Sequence, residues 1–238
     1  LRRMLFNWPR KTLFVPFGFI RLAALHSSCV EVLLDPIVSP LSLTELLHRS
    51  ADVVEDAPSP LVIASVLLAL VNVFSTKSPA SCQNLFKALT GSPASDALRR
   101  IFARTLTHSN HNDAAVDYCL CLAINLTLMP INAAAENDIS KQHLYALIIG
   151  PILQFAAQLP ASSSSSVSTS SSRLQQVSRV LCNIANSGAV KRDATAFWSS
   201  LSQLLHPAQH RSPFGSSDGA REEVECLLRY RGPVYEAS

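Results

Sequence analysis

The sequence predicts an all-α chain of about ten helices. Three observations carry that expectation. Apolar residues recur at helical spacing along most of the 238 residues. Strand signals are nearly absent. Four Ser-Pro pairs stand at Ser39-Pro40, Ser59-Pro60, Ser78-Pro79 and Ser92-Pro93, each ahead of a helically spaced run. A serine hydroxyl accepts from an orphan N–H at a helix start, and proline suits the next position because its missing N–H would be unpaired there.

The elements follow in order. Helices are expected at roughly 17–34, 41–56, 60–76, 79–90, 93–107, 113–129, 139–159, 173–187, 192–206 and 220–230. Ser42 and Glu45 form a capping-box pattern at the start of the second. Pro36, Gly91, Pro130, Gly188 and Pro207 supply stops, and Gly150-Pro151 predicts a kink in the seventh. Residues 161–172 are almost all serine and cannot pack a core, so they read as a flexible insertion. Residues 215–219 read as a second loop. The organisation is then a basic leader or arm at 1–16, a helical-repeat domain at 17–206, and a C-terminal loop and short helix at 207–238.

Charge is unevenly placed. The chain holds 20 Lys+Arg and 17 Asp+Glu, net +3, and the first acidic residue is Glu31. Before it stand Arg2, Arg3, Arg10, Lys11 and Arg21. Removing those five leaves 15 basic against 17 acidic residues, so the positive balance lies in the start. Leu1, Met4, Leu5 and Trp8 form one helical stripe with Arg2 and Arg3 off it, cut short by Pro9. This Arg-rich, acid-free start resembles a mitochondrial targeting presequence, although it lacks serine before Ser27. The resemblance implies a mitochondrial address. A retained basic arm on a partner, or an ordinary surface helix of a cytoplasmic protein, are the other readings.

Apolar content of 48% and mean hydropathy of +0.22 raise the question of a membrane span. A spanning helix needs roughly 20 apolar residues. The runs at 61–74 and 145–159 are shorter, and the run at 118–135 contains Asn125, Pro130 and Asn132. Buried helices account for them better.

Catalytic and cofactor patterns are missing. No phosphate-binding glycine loop, dinucleotide fingerprint, Gly-x-Ser-x-Gly or Ser-x-x-Lys occurs. Asp52, Glu55 and Asp56 read as a solvated face, and Glu222-Glu223 as part of an exposed terminal helix. The best metal group is His108, His111, Cys119 and Cys121, but the two cysteines point about 160° apart on a helix and hardly converge. His206 and His210 are separated by Pro207. Cys29, Cys82, Cys119, Cys121, Cys182 and Cys226 show no Cys-x-x-Cys and mostly sit in apolar runs, which fits a reducing compartment. Asn125-Leu126-Thr127 matches a glycosylation acceptor but falls mid-helix. The expectation is a non-enzyme with no cofactor, no metal and no small-molecule substrate.

Three segments align on an asparagine: Leu67 to Val73 on Asn72, Leu120 to Leu126 on Asn125, and Ser178 to Ile184 on Asn183. Positions three before, two before and one after each Asn are apolar. The third segment continues from Leu181-Cys182-Asn183-Ile184-Ala185 into Phe197 to Leu205, and resembles the second and third helices of an armadillo repeat. The preceding aromatic of that family is missing. The resemblance implies an armadillo/HEAT-like α-solenoid, with an irregular helical bundle as the alternative. It also implies that Asn72, Asn125 and Asn183 line a groove for an extended peptide. The plainer reading is that each amide is bonded within its own helix layer.

RNA contact would need clustered cations. The candidates are Arg2, Arg3, Arg10 and Lys11 in the arm, Arg99, Arg100 and Arg104 on one helix, and Arg229-Tyr230-Arg231 near the C-terminus, where stacking on a base could add. The expected function is a scaffold or adaptor subunit of a larger mitochondrial assembly, a ribonucleoprotein such as the mitochondrial ribosome or its assembly machinery, with protein subunits as partners. Direct RNA binding and a cytoplasmic or cytoskeletal adaptor are the alternatives.

Overall fold

A computed structural model describes residues 1–34, 41–56, 59–75, 79–89, 92–107, 113–129, 137–159 and 167–186. These residues form ten α-helices and one 3₁₀ turn, with no strand among them, so the fold class is all-α. The helices are α1 (Arg2–Asn7), α2 (Phe14–Ala23), α3 (Ser27–Leu34), α4 (Leu43–Asp56), α5 (Pro60–Val73), α6 (Pro79–Leu89), α7 (Ser92–Thr107), α8 (Asp113–Leu128), α9 (Asn137–Gln158) and α10 (Val167–Asn186). The 3₁₀ turn is Arg10–Thr12. The expected helices at 192–206 and 220–230, and the loop at 215–219, lie outside the described residues.

Local chemistry sets the starts. Ser59 is the N-cap of α5, its hydroxyl accepts from the Val62 N–H at 3.3 Å, and Pro60 takes the first helical position. At α4 the capping box closes: Glu45 N–H donates to Ser42 Oγ at 3.2 Å, and Ser42 N–H donates to Glu45 Oε2 at 3.1 Å.

Two boundaries differ from the sequence reading. The first expected helix is two, broken at 24–26, and α2 already begins at Phe14. Pro16 falls in its first turn, where no N–H is required. Helix α10 begins at Val167, so its first turn comes from the serine run. Helix α9 runs Asn137–Gln158 with Pro151 inside it, where proline removes one donor from the helix ladder.

The chain divides into two compact units, Leu1–Ile148 and Ile149–Ser238. In the first, helices three places apart pack together: α2 on α5, α5 on α8, α4 on α7 and α3 on α6. Its core includes Leu5, Leu13, Phe17, Ile20, Leu46, Leu67, Leu70, Phe74 and Phe102, all essentially fully buried. The basic start is therefore part of this core, through Leu5, Leu13, Phe17 and Ile20. In the second unit α10 buries Leu174, Val177, Leu181 and Ile184 along one stripe. No described helix is long and apolar enough to cross a membrane.

Candidate functional site

Helices α2, α5 and α8 form a row whose register can be read from two hydrogen bonds. Asn72 Nδ2 donates to the Arg21 carbonyl on α2 at 3.0 Å. Asn125 Nδ2 donates to the Val71 carbonyl on α5 at 3.0 Å. The acceptor in each case is the residue one before the position that matches the asparagine. Arg21, Val71 and Ile124 are thus equivalent, as are Leu22, Asn72 and Asn125. Burial repeats in the same register. Leu13, Phe17 and Ile20 match Ile63, Leu67 and Leu70, which match Val116, Leu120 and Ala123, and all nine are buried.

The reason for the asparagine lies at the helix ends. At the end of α5, Phe74 N–H donates to Leu70 and Ser75 N–H donates to Asn72, skipping the Val71 carbonyl. At the end of α2, Ala24 N–H donates to Ile20 and Leu25 N–H donates to Leu22, skipping Arg21. The last carbonyls of a helix have no intrahelical partner. Each skipped carbonyl takes its proton from the asparagine of the next helix in the row. Asn72 and Asn125 are therefore C-caps supplied from a neighbouring layer, with their side chains half-buried. Asn183 lies on α10 in the second unit, also half-buried. The bond to Val71 also occupies the amide that a glycan would need, and Thr127 Oγ1 donates to the Ile124 carbonyl at 2.8 Å.

The face that this row leaves open is poor in charge. Helix α5 has no charged residue at all. Its outward stripe is exposed Leu61 and half-exposed Ala64, Ser65, Leu68, Val71 and Asn72. On α8 the corresponding stripe is Asp117, Tyr118, Cys121, Ile124, Asn125 and Leu128.

The arginines nominated for RNA sit among carboxylates. Arg100 on α7 donates to Glu55 Oε1 through Nε at 2.8 Å and to Asp52 Oδ1 through Nη2 at 2.9 Å, joining α7 to α4. Its pKa is raised by the bonds to Glu55 first and Asp52 second, and the same pair lowers that of Glu55. Arg99 pairs with Asp96 at 3.2 Å, and the charge of Arg104 also acts on Glu55. Three cations thus stand against three carboxylates. In the basic start, Arg2 pairs with Glu45 at 2.8 Å and Arg10 with Asp56 at 2.6 Å. Glu45 uses one oxygen for its capping box and the other for Arg2, which lowers its pKa, the Arg2 bond being the larger cause. Arg49 Nε donates to the Leu5 carbonyl at 2.8 Å, and Arg2 and Arg49 lie 5.5 and 5.8 Å from the centre of the Phe6 ring. Arg3 and Lys11 are exposed. Arg229, Tyr230 and Arg231 lie outside the described residues.

Cys119 is buried on α8 and Cys121 half-buried, and burial raises the pKa of both thiols. No group of three metal-binding side chains occurs among the described residues, from which His108, His111, His206 and His210 are absent. The sequence reading missed the inter-layer caps, whose signal was the spacing of Asn72 and Asn125 taken with the ends of α2 and α5. Comparison with protein-family models, with curated proteins and with solved structures finds no match to this chain.

Proposed function

We propose that the protein is a non-catalytic, armadillo-like helical-repeat scaffold that holds a protein partner along the outward face of α2, α5 and α8. The packing of helices three places apart supports the repeat. The observation that carries the function is the uncharged outward stripe of α5. A surface that contacts phosphates is built from Lys and Arg, whereas the centre of a protein interface is depleted of charge. Stacked repeats offer such a face as a continuous strip. Helix α5 is held on both sides by its neighbours in the row, so the strip is presented rigidly.

The test is recovery of partners on the tagged chain from its own cells, with and without Leu68→Arg. Leu68 is half-exposed, so the variant keeps its core and its melting temperature. The expected result is that a defined set of proteins is lost with Leu68→Arg and is retained by the unmodified chain from about 50 to about 500 mM salt. Retention by the variant would overturn the reading. A mitochondrial assembly, a ribonucleoprotein first among them, is the setting that the basic start suggests. Cytosolic or cytoskeletal proteins in the recovered set would remove that setting.

A further inference from the structure

The three helices of the row differ in charge, and they differ in order. Arg21 is the one charged residue of α2. The 3₁₀ turn before it adds Lys11 and Arg10, of which Arg10 is paired with Asp56. Helix α5 carries no charge. Helix α8 carries Asp113 and Asp117, both acidic. The outward strip therefore runs from basic through neutral to acidic. In the register of the row, exposed Lys11 matches exposed Leu61 and half-exposed Ala114. Asp117 is half-exposed and matches Phe14 and Ala64, one turn further along. Each residue turns by 100°, so the positions of Lys11 and Asp117 lie about 60° apart around the helix, with the position of Leu68 between them. All three belong to the outward face, which a layer stacked on the flank of α2 would leave uncovered.

Gly18 marks the same line. It stands on α2 where α5 has Leu68 and α8 has Cys121. A side-chain carbon placed on Gly18 would meet nothing within 4 Å. Glycine weakens a helix interior and is of use where another backbone comes close. Packing inside the chain gives no such reason here, so the glycine is a notch in the outward strip.

We infer that the strip binds a second copy of this chain, face to face, about a two-fold axis parallel to α5. An occupant of the strip must be acidic over α2, uncharged over α5 and basic over α8. Turned about that axis, the strip is its own complement. Helix α5 meets α5, and α2 of each copy meets α8 of the other. Residues of one level stay level, so Lys11 comes within a turn of Asp113 and Asp117 of the second copy, twice by symmetry. The notch at Gly18 falls opposite Cys121, small residue on small, and Leu68 meets Leu68 on the axis. A two-fold along the row instead would set α2 on α2 and α8 on α8, like charge on like. The 14 residues of α5 span about 21 Å, and three helices about 8–10 Å apart give a strip of about 500–600 Å² on each copy. Twice that is at the lower edge for a specific interface, so the dimer is expected to form at about 1–100 µM. The inference rests on the reading of the strip as a docking face and names one occupant of it.

The test is sedimentation of the whole purified chain over a range of concentrations. Lys11→Glu and Asp117→Lys each turn two attractive pairs into two repulsive ones, and each should weaken the dimer at least about fivefold. Mixed in equal amounts, with one of them carrying a fluorophore, the two variants should form a mixed dimer at close to the unmodified affinity, because every pair is then opposite in sign again. Gly18→Leu should melt no lower than the unmodified chain, since its side chain enters open space, yet weaken the dimer at least about tenfold. Lys11 is exposed, so Lys11→Glu and Gly18→Leu keep the test intact should Asp117→Lys fold poorly. A chain that stays monomeric to about 500 µM overturns the inference. So does a dimer that Leu68→Arg leaves intact, a pair of well-folded charge variants that fail to rescue each other, or growth past the dimer into end-to-end chains. Leu68→Arg also separates the two readings. If the chain is monomeric while Leu68→Arg still strips other proteins from it in cells, only the dimer falls. If the chain dimerises as expected while Leu68→Arg costs it no other protein, only the adaptor reading falls.

Discussion

Replacing Asn125 by Ala removes one donor and strands the Val71 carbonyl, which accepts from the Asn125 amide at 3.0 Å. Leaving a buried acceptor unmade costs about 1–3 kcal/mol. The site is half-buried and water can reach part of it, so the lower half of that range applies, about 1.5 kcal/mol. Alanine returns about 0.5 kcal/mol through its higher helix propensity. The net loss is about 1 kcal/mol, or about 2–4 °C in melting temperature for a chain of this size. Asn125→Asp should cost more, about 2–3 kcal/mol near neutral pH. The new carboxylate would face a carbonyl oxygen and the negative end of α5. Its pKa would be raised in the folded state, so the penalty is full above that raised value and shrinks as pH falls below it and the acid can donate. Thermal melts followed by circular dichroism at pH 7 and pH 5, with urea titrations alongside, measure both effects. The reasoning is refuted if Asn125→Ala melts with the unmodified chain yet loses its protein partner. The asparagine would then be a ligand to the partner and not a cap.

Three further outcomes are expected. Phe17→Ala should cost about 3–5 kcal/mol, because Phe17 is fully buried on α2, and removal of residues 1–30 should leave the first unit insoluble or unfolded in a solubility and melting assay. Glu45 and Glu55 both have lowered pKa values from a usual 4.5. The stability they lend is therefore complete above about pH 4.5 and lost as pH falls through their lowered values. Glu45→Gln should flatten that acid limb in urea titrations run across pH 3–6. Thiol labelling should find Cys29 reactive in the folded chain and Cys119 reactive only on unfolding, with label position read by mass spectrometry.

Much of the fold was legible because it was written in short-range chemistry. Ser59-Pro60 and the Ser42–Glu45 box act within one turn, so the sequence alone places the starts of α5 and α4. The break at 24–26 was not legible, since Ala24-Leu25-His26 contains no breaker and the turn is settled by packing of α2 on α5. The role of the basic start was obscured for a similar reason. Its charge pattern resembles an address, whereas the burial of Leu5 and Leu13 depends on helices far along the chain. The asparagine alignment was visible as a spacing, but its meaning needed the skipped carbonyls of Arg21 and Val71, which exist only once α2 and α5 end as they do.

The caps between layers also impose an order in time. The amide that completes the end of α2 lies 51 residues downstream of the carbonyl it serves, and the one that completes α5 lies 54 downstream. At a synthesis rate of roughly 5–20 residues per second, each finished layer waits about 3–10 seconds for its last hydrogen bond to be made. Until the next layer emerges, the carbonyl of Arg21, and then that of Val71, has only water to bond.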